Sequence, residues 1–340
     1  MNAQQAPASF WLGKRVFVTG CSGFLGCWMV EELNRRGAFT VGLTRDQERQ
    51  IAMPGDGEVA PDAMVHGEVE NYDLLLRAIN EHEIDTVLHL AAQAIVGTAV
   101  RSPRSTFEAN IRGTWNVLEA CRELGGQVKR IIIASSDKAY GEAQKLPYDE
   151  TMPLQGRHPY DASKSCADIL AQTYHATYRL PVCITRSGNF FGGRDRNFNR
   201  IVPGTIRWAL AGERPVLRSD GTMVRDYIYV RDVVQAYLAL AERMQDPALH
   251  GHAFNFSHEQ PLSVLEIVQR ILKLAGRPDL EPVILGEASN EIPSQFLAAA
   301  KARRMLGWQP SWTLDAALAE TIAWYREWLT RQSPDALAAE

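Results

Sequence analysis

Gly20-Cys21-Ser22-Gly23-Phe24-Leu25-Gly26 decides how this chain folds, because it sits between the apolar run Val16-Phe17-Val18 and a helical pattern from Phe24 to Arg36. Its spacing, G-x-x-G-x-x-G, is one residue looser at the front than the dinucleotide fingerprint. The physics carries over: glycines let a ligand approach the backbone closely, and the following helix turns its free N–H groups toward a pyrophosphate. A glycine turn alone is a weak signal. A buried strand before it and a helix after it, opening the first βαβ unit, supply the context it needs.

Outward from that turn, Lys14 to Gly20, Phe39 to Thr44, Thr86 to Ala91, Arg130 to Ser135 and Pro181 to Arg186 read as strands. Helical patterns around Leu74 to Ile79 and Thr106 to Leu124 separate them. Strands alternating with helices predict an α/β chain, a Rossmann-type doubly wound parallel sheet. After Asn189 the texture changes to a polar loop, Gly192 to Asn197, and helical stretches at Gly204 to Leu210, Asp232 to Arg243, Ala298 to Leu306 and Leu314 to Arg331. The expected organisation is a dinucleotide-binding domain over residues 11–188, with segments near 225–257 returning to it. A smaller mixed lobe over 189–332 would bind substrate, and 1–10 and 333–340 would be tails.

Composition narrows the function classes. At 340 residues, 46% hydrophobic and 22% charged, the chain has ample length for a large core and an ordinary globular balance. A net charge of −4 argues against a nucleic-acid partner. No apolar run reaches membrane-span length, and Met1 to Ser9 lacks a signal-peptide pattern, so a cytoplasmic protein is expected. The five cysteines are scattered, the eight histidines form no cluster, and no metal site is expected.

Tyr160-Asp161-Ala162-Ser163-Lys164 supplies the chemistry. On a helix, positions four apart share a face. An ammonium near a phenol favours the phenolate, so Lys164 is expected to lower the pKa of Tyr160 and fit it for proton exchange with a sugar or alcohol hydroxyl. At the end of the second strand, where a dinucleotide's adenosine ribose is sorted, the chain offers Thr44-Arg45, with its first acid, Asp46, one step late. A basic residue there suits a 2′-phosphate, so NADP is favoured over NAD. An exposed arginine at a strand end is the other reading. Glu68 and Val69 fall where chain order would put an adenine contact.

With these residues in view, the chain resembles the extended short-chain dehydrogenase/reductases of the nucleotide-sugar epimerase and dehydratase group. The resemblance spans Trp11 to Trp328. It is carried by Gly20 to Gly26, His89-Leu90-Ala91-Ala92-Gln93, Asn110 to Thr114, Ser135 to Gly141, Tyr160 to Lys164, Arg225-Asp226-Tyr227 and Leu306-Gly307-Trp308. The resemblance implies a cofactor site of Gly20, Ser22, Gly23, Phe24, Leu25, Gly26, Thr44, Arg45, Glu68, Val69, Leu90, Ala91, Ala92, Gln93, Asn110, Tyr160 and Lys164. It implies that Ser136 bonds the sugar C4 hydroxyl, Tyr160 acts as its base, and Lys164 holds the nicotinamide ribose. Gln93, Ser136, Asn189, Arg194, Asn199, Arg200 and Arg225 would meet a nucleotide-diphosphate sugar, Asn189 and Arg225 at its diphosphate.

Asp137-Lys138 divides the group. Epimerases similar to this chain have small or apolar residues there, whereas 4,6-dehydratases carry acid–base groups, and Asp-Lys is most similar to the CDP-glucose 4,6-dehydratase motif. On that analogy Asp137 protonates the departing C6 hydroxyl and Lys138 takes the C5 proton or sets its partner's charge. A surface ion pair at a strand end is the plainer alternative. The chain departs from those dehydratases at Leu25, in Val224 to Val230, and around Asn290 to Gln295, which leaves the nucleotide base open. The resemblance also implies a homodimer through a four-helix bundle of the Tyr160 helix and the Thr106 to Leu124 helix; Leu118, Ile169, Leu170 and Tyr174 would supply apolar faces for it or else pack on their own sheet.

Overall fold

A computed structural model describes residues 10–45, 60–287 and 292–331; Asp46, Asn290, Glu291 and both proposed tails, apart from Phe10, lie outside them. The first half runs β1 (Arg15–Thr19), α1 (Phe24–Arg35), β2 (Phe39–Thr44), β3 (Ala63–His66), α2 (Tyr72–Glu81), β4 (Thr86–His89), α3 (Val96–Arg101), α4 (Pro103–Phe107), a π-helical turn (Glu108–Arg112), α5 (Gly113–Glu123) and β5 (Arg130–Ala134). A 3₁₀ turn (Asp137–Tyr140), α6 (Pro159–Tyr178), β6 (Val182–Ser187), β7 (Asn189–Phe191), α7 (Ile201–Ala211) and β8 (Val216–Leu217) follow. The chain continues through β9 (Val224–Arg225), β10 (Tyr227–Tyr229), α8 (Val230–Arg243), β11 (Ala253–Phe256), β12 (Leu262–Ser263), α9 (Val264–Leu274), β13 (Val283–Ile284), β14 (Ser294–Gln295), α10 (Ala300–Leu306) and α11 (Leu314–Arg331).

Seven strands form one parallel sheet in the order β11-β6-β5-β4-β1-β2-β3. The expected Rossmann-type doubly wound sheet is therefore present. Strand order reverses between β1 and β4, and an open α/β sheet takes its ligand in the crevice beyond the carboxyl ends at such a reversal. Val16, Phe17 and Val18 of β1, Val87 and Leu88 of β4 and Ile131 to Ile133 of β5 are fully buried, because helices cover both faces. The residues after β1, β4 and β5 all emerge at this one edge: the glycine turn, Leu90 to Gln93, and Ser135-Ser136. Short pairs β9 with β12 and β14, β8 with β13, and β7 with β10 build the second region around α7, α9 and α11.

Of the two placements open to the four apolar residues, packing inside the subunit is found for three. Leu118 is fully buried, and Leu170 and Tyr174 pack on the same internal cluster, because α5 and α6 spend those positions on the sheet. Of the four, Ile169 faces outward, at 51% exposure; Trp115 on α5 and Tyr178 at the end of α6 are exposed as well.

Candidate active site

Gly20 has φ +68, and a Cβ there would lie 2.9 Å from the Ala91 backbone. At Gly26 a Cβ would meet the Gly20 carbonyl oxygen at 2.1 Å, so helix and turn touch only because both residues are glycine. Gly23 caps α1 without any side-chain hydrogen bond and is exposed, which leaves the helix N–H groups facing the crevice. Phe24 and Leu25 turn inward with the first helical turn. Thr19 Oγ1 accepts from the backbone N–H of Leu90 and of Ala91, both at 3.1 Å, and contacts His89 Nδ1 at 2.8 Å. Burial pushes His89 down to about 3, so its ring is a neutral strut. These residues form a cradle that a side chain would fill, and they fit a dinucleotide.

At the cradle's far wall, Ser22 Oγ and Thr44 Oγ1 stand 3.1 Å apart, while Arg45 is exposed. Glu68 is exposed, and Val69 is buried against Gly113. Asn110 is buried in the π-helical turn: its Oδ1 accepts from Gln93 N at 2.7 Å, and its Nδ2 donates to Ser163 Oγ at 2.9 Å and to Gln93 O at 3.2 Å. The Asn110 side chain is thus spent stitching the Leu90–Gln93 loop to α6, with Ala92 held in the same loop.

The catalytic turn is set by α6, which starts on Pro159 and carries Tyr160 and Lys164 in its first turns. Ser165 Oγ donates to Ala139 O at 2.9 Å and Asp161 O at 3.1 Å, tying α6 to the 3₁₀ turn. Behind it Arg186 forms a buried bidentate pair with Asp168 (2.7 and 2.9 Å) and donates to Tyr140 Oη. Ser136 Oγ donates to Asp137 Oδ1 at 3.0 Å and accepts from Lys138 N at 3.2 Å, and its hydroxyl lies close enough to the Tyr160 phenol to favour the phenolate. Lys138 Nζ donates to Gln295 Oε1 at 2.7 Å. Ser136, Asp137, Lys138 and Tyr160 share one site, so Asp137-Lys138 is not a solvated surface pair; Asp137 is 3% exposed and its Oδ2 has no hydrogen-bond partner.

The expected depression of the Tyr160 pKa is not found. Burial pushes the phenol up to about 12, outweighing the nearby Ser136 hydroxyl and the charge of Arg200, while Asp137 and Asp161 add to the rise. Lys164 Nζ is buried and donates to Ala134 O at 2.7 Å, and burial lowers it to about 8. Helical spacing placed the two on one face, but the main chain of β5 takes the ammonium.

A cleft of about 630 Å³ has walls that include Arg196, Phe198, Asn199, Arg200, Arg207 and Arg218, and through its charge Arg200 reaches Tyr160. Arg200 pairs with Asp195 at 2.9 Å, and Asn199 is exposed. Arg225 is 7% exposed and donates to Val224 O and Pro293 O. Asn189 N donates to Asp226 O at 2.8 Å, which joins β7 to the residue after Arg225. Arg194 does not join this group: it pairs with Glu31 and lies 4.0 Å over the Trp28 ring, an anchor on α1. Sequence reading gave no site role to Gln295 or to the buried Asp226, which burial pushes up to about 7; neither lies near the catalytic residues in sequence.

A dinucleotide cradle on a parallel sheet, joined to a Ser, Tyr and Lys set, defines a Rossmann-fold short-chain dehydrogenase/reductase. The profile of the NAD dependent epimerase/dehydratase family matches residues 16–256, and the chain belongs to that family. It is similar to CDP-glucose 4,6-dehydratase of Salmonella typhimurium, 29% identical, covering 94% of this chain and 93% of that one. Among solved structures it is similar to UDP-glucose 4-epimerase from Thermotoga maritima, with TM-score 0.83, 28% identity and coverage of 93% and 99%. The NAD-bound dTDP-glucose 4,6-dehydratase from Streptomyces venezuelae has TM-score 0.79, 27% identity and coverage of 92% and 97%.

Proposed function

We propose that the protein is a nucleotide-sugar 4,6-dehydratase, converting an NDP-hexose to its 4-keto-6-deoxy derivative. The observation that carries this is Asp137 and Lys138 beside Ser136 and Tyr160, an acid–base pair that a C4 inversion does not require. The similarity to CDP- and dTDP-glucose dehydratases supports it.

In this reading Ser136 Oγ and Tyr160 Oη grip the C4 hydroxyl, and Tyr160 takes its proton. A bound oxidised nicotinamide dinucleotide supplies a hydride acceptor, a returnable hydride and a positive charge. With a ketone at C4, the C5–H bond breaks and Lys138 Nζ, as free amine, takes the proton. The electron pair forms the C5=C6 bond, the C6–O bond breaks, and Asp137 protonates the departing oxygen, which leaves as water. Lys138 then returns that proton to C5, and a hydride that the bound dinucleotide would give back at C6 would complete the saturation to the 6-deoxy sugar. General acid–base help of this kind is worth roughly 10²–10⁴-fold. The dinucleotide would rest on the Gly20–Gly26 turn, and exposed Arg45 favours NADP. Asn189, Arg200 and Arg225 would hold the diphosphate. A homodimer across α5 and α6 would cover Trp115, Ile169 and Tyr178.

The competing reading is a 4-epimerase, favoured by the similarity to UDP-glucose 4-epimerases. NMR in D2O with CDP-, GDP-, UDP- and dTDP-hexoses separates them. A 4-keto product with a new methyl signal and deuterium at C5 is expected; a C4-inverted sugar without solvent deuterium would remove the roles given to Asp137 and Lys138.

A further inference from the structure

Gln295 reaches the catalytic turn from 157 residues away. Its backbone is fixed on both sides. β14 pairs with β9 in a register that sets Gln295 opposite Arg225, and Tyr148 N donates to Phe296 O at 2.9 Å. Ala298 N donates to Tyr148 O at 2.9 Å, and Leu297 N to Asp226 Oδ2 at 3.1 Å. The side chain is 1% exposed and has no route to solvent. Its Oε1 takes Lys138 Nζ at 2.7 Å, while Nε2 has no well-formed partner, the Tyr148 hydroxyl being the polar group it approaches. A buried amide satisfied at one end is costly, and an apolar side chain of similar volume would fill the place without that cost.

We propose that Gln295 is a positioning residue for Lys138. Its amide oxygen aims the flexible lysine at the reacting carbons and ties the strand that carries Arg225 to the catalytic turn. A neutral acceptor is the apt choice, because a carboxylate at the same place would hold the lysine as ammonium and deny it the role of base. Two further carboxyl groups face Lys138: Asp137 lies on its own turn, and Asp161, with His158 beside it, opens α6. Tyr148, Arg225 and Asp226 border the same pocket.

The inference rests on the dehydratase reading for its catalytic consequence but not for the contact itself, and two readouts separate them. The first follows reductive methylation of Lys138 by formaldehyde and cyanoborohydride against pH, by mass spectrometry, in full-length wild type, Gln295→Glu and Gln295→Met. Gln295→Glu should move the Lys138 labelling midpoint upward by about one pH unit or more; an unmoved midpoint overturns the contact. The second follows turnover with whichever of CDP-glucose, dTDP-glucose, UDP-glucose or GDP-mannose the wild type converts. Gln295→Met should lose about tenfold to a hundredfold in kcat with KM held, since small misplacements of a reacting group cost that much. Gln295→Glu should shift the activity limb set by Lys138 in the alkaline direction. Wild-type kcat in Gln295→Met with an unshifted limb in Gln295→Glu would overturn the positioning role. If wild type inverts C4 without C5 exchange, the dehydratase reading fails, and the labelling midpoint alone decides for or against Gln295.

Discussion

Two regions of the molecule are built from different material. Around Gly20 the wall is main chain: the glycine turn, the uncapped start of α1 and the Leu90–Ala91 amides held by Thr19. Around Arg200 the wall is long side chain: Arg196, Arg200, Arg207 and Arg218 on loops and short strands. Main chain is fixed by the fold and tolerates little change. Guanidinium groups on flexible stems can be exchanged or re-aimed without disturbing a strand. The cradle therefore reports the family, and the arginine wall is where this chain's own substrate would be chosen.

Gly26→Ala should break the cradle hardest. The new methyl would stand 2.1 Å from the Gly20 carbonyl oxygen and 2.8 Å from Cys21 Cα, both backbone, so helix and turn must part. Overpacking of this kind costs about 1–3 kcal/mol, which predicts a loss of about tenfold to a hundredfold in dinucleotide affinity by calorimetry. Wild-type affinity in that variant would mean that α1 can slide, and the contrast with the arginine wall would weaken. On the other side, Arg225→Lys keeps the charge but loses the planar fork. It should raise KM for the nucleotide sugar by about tenfold with kcat and dinucleotide affinity little changed. A matching fall in dinucleotide affinity would show the two regions to be coupled.

The same contrast governs what could be read from sequence. β1, β2, β4, β5 and β6 are apolar runs framed by turns, and the glycine spacing announces its own geometry. β3 (Ala63–His66) gives little strand signal, because it lies at the sheet edge and none of its four residues is fully buried. β11 (Ala253–Phe256) hides behind Asn255, a polar residue buried mid-strand to bond Tyr140 Oη and Tyr148 O. In the site, spacing put Tyr160 and Lys164 on one helix face but could not say that Ala134 O would take the ammonium. Arg194 and Arg200 look alike in a loop; only packing sends one to Trp28 and the other to the cleft. Gln295 carries no local signal at all, since its partner comes from the other half of the chain.

Asp226 joins the two regions and offers the subtlest test. Its carboxyl is buried, Oδ2 accepts from Ser257 Oγ and from Leu297 N at 3.1 Å, and Oδ1 has no hydrogen-bond partner. Burial leads the shift that lifts it from 3.8 to about 7, with Asp137 adding to the rise. The sign follows from proton counting: between those values the folded protein binds more protons at this site than the unfolded chain, so stability falls as pH rises through the window. Asn at 226 keeps an acceptor for Ser257 and Leu297 and cannot ionise. The difference in Tm, wild type minus Asp226→Asn, should therefore drop by a few degrees between pH 4 and pH 7 and be flat above pH 8. Thermal melts across that range check it. A flat difference throughout would mean that Asp226 stays charged, and that the seam between the catalytic turn and β9 is held by an ion rather than by a buried acid.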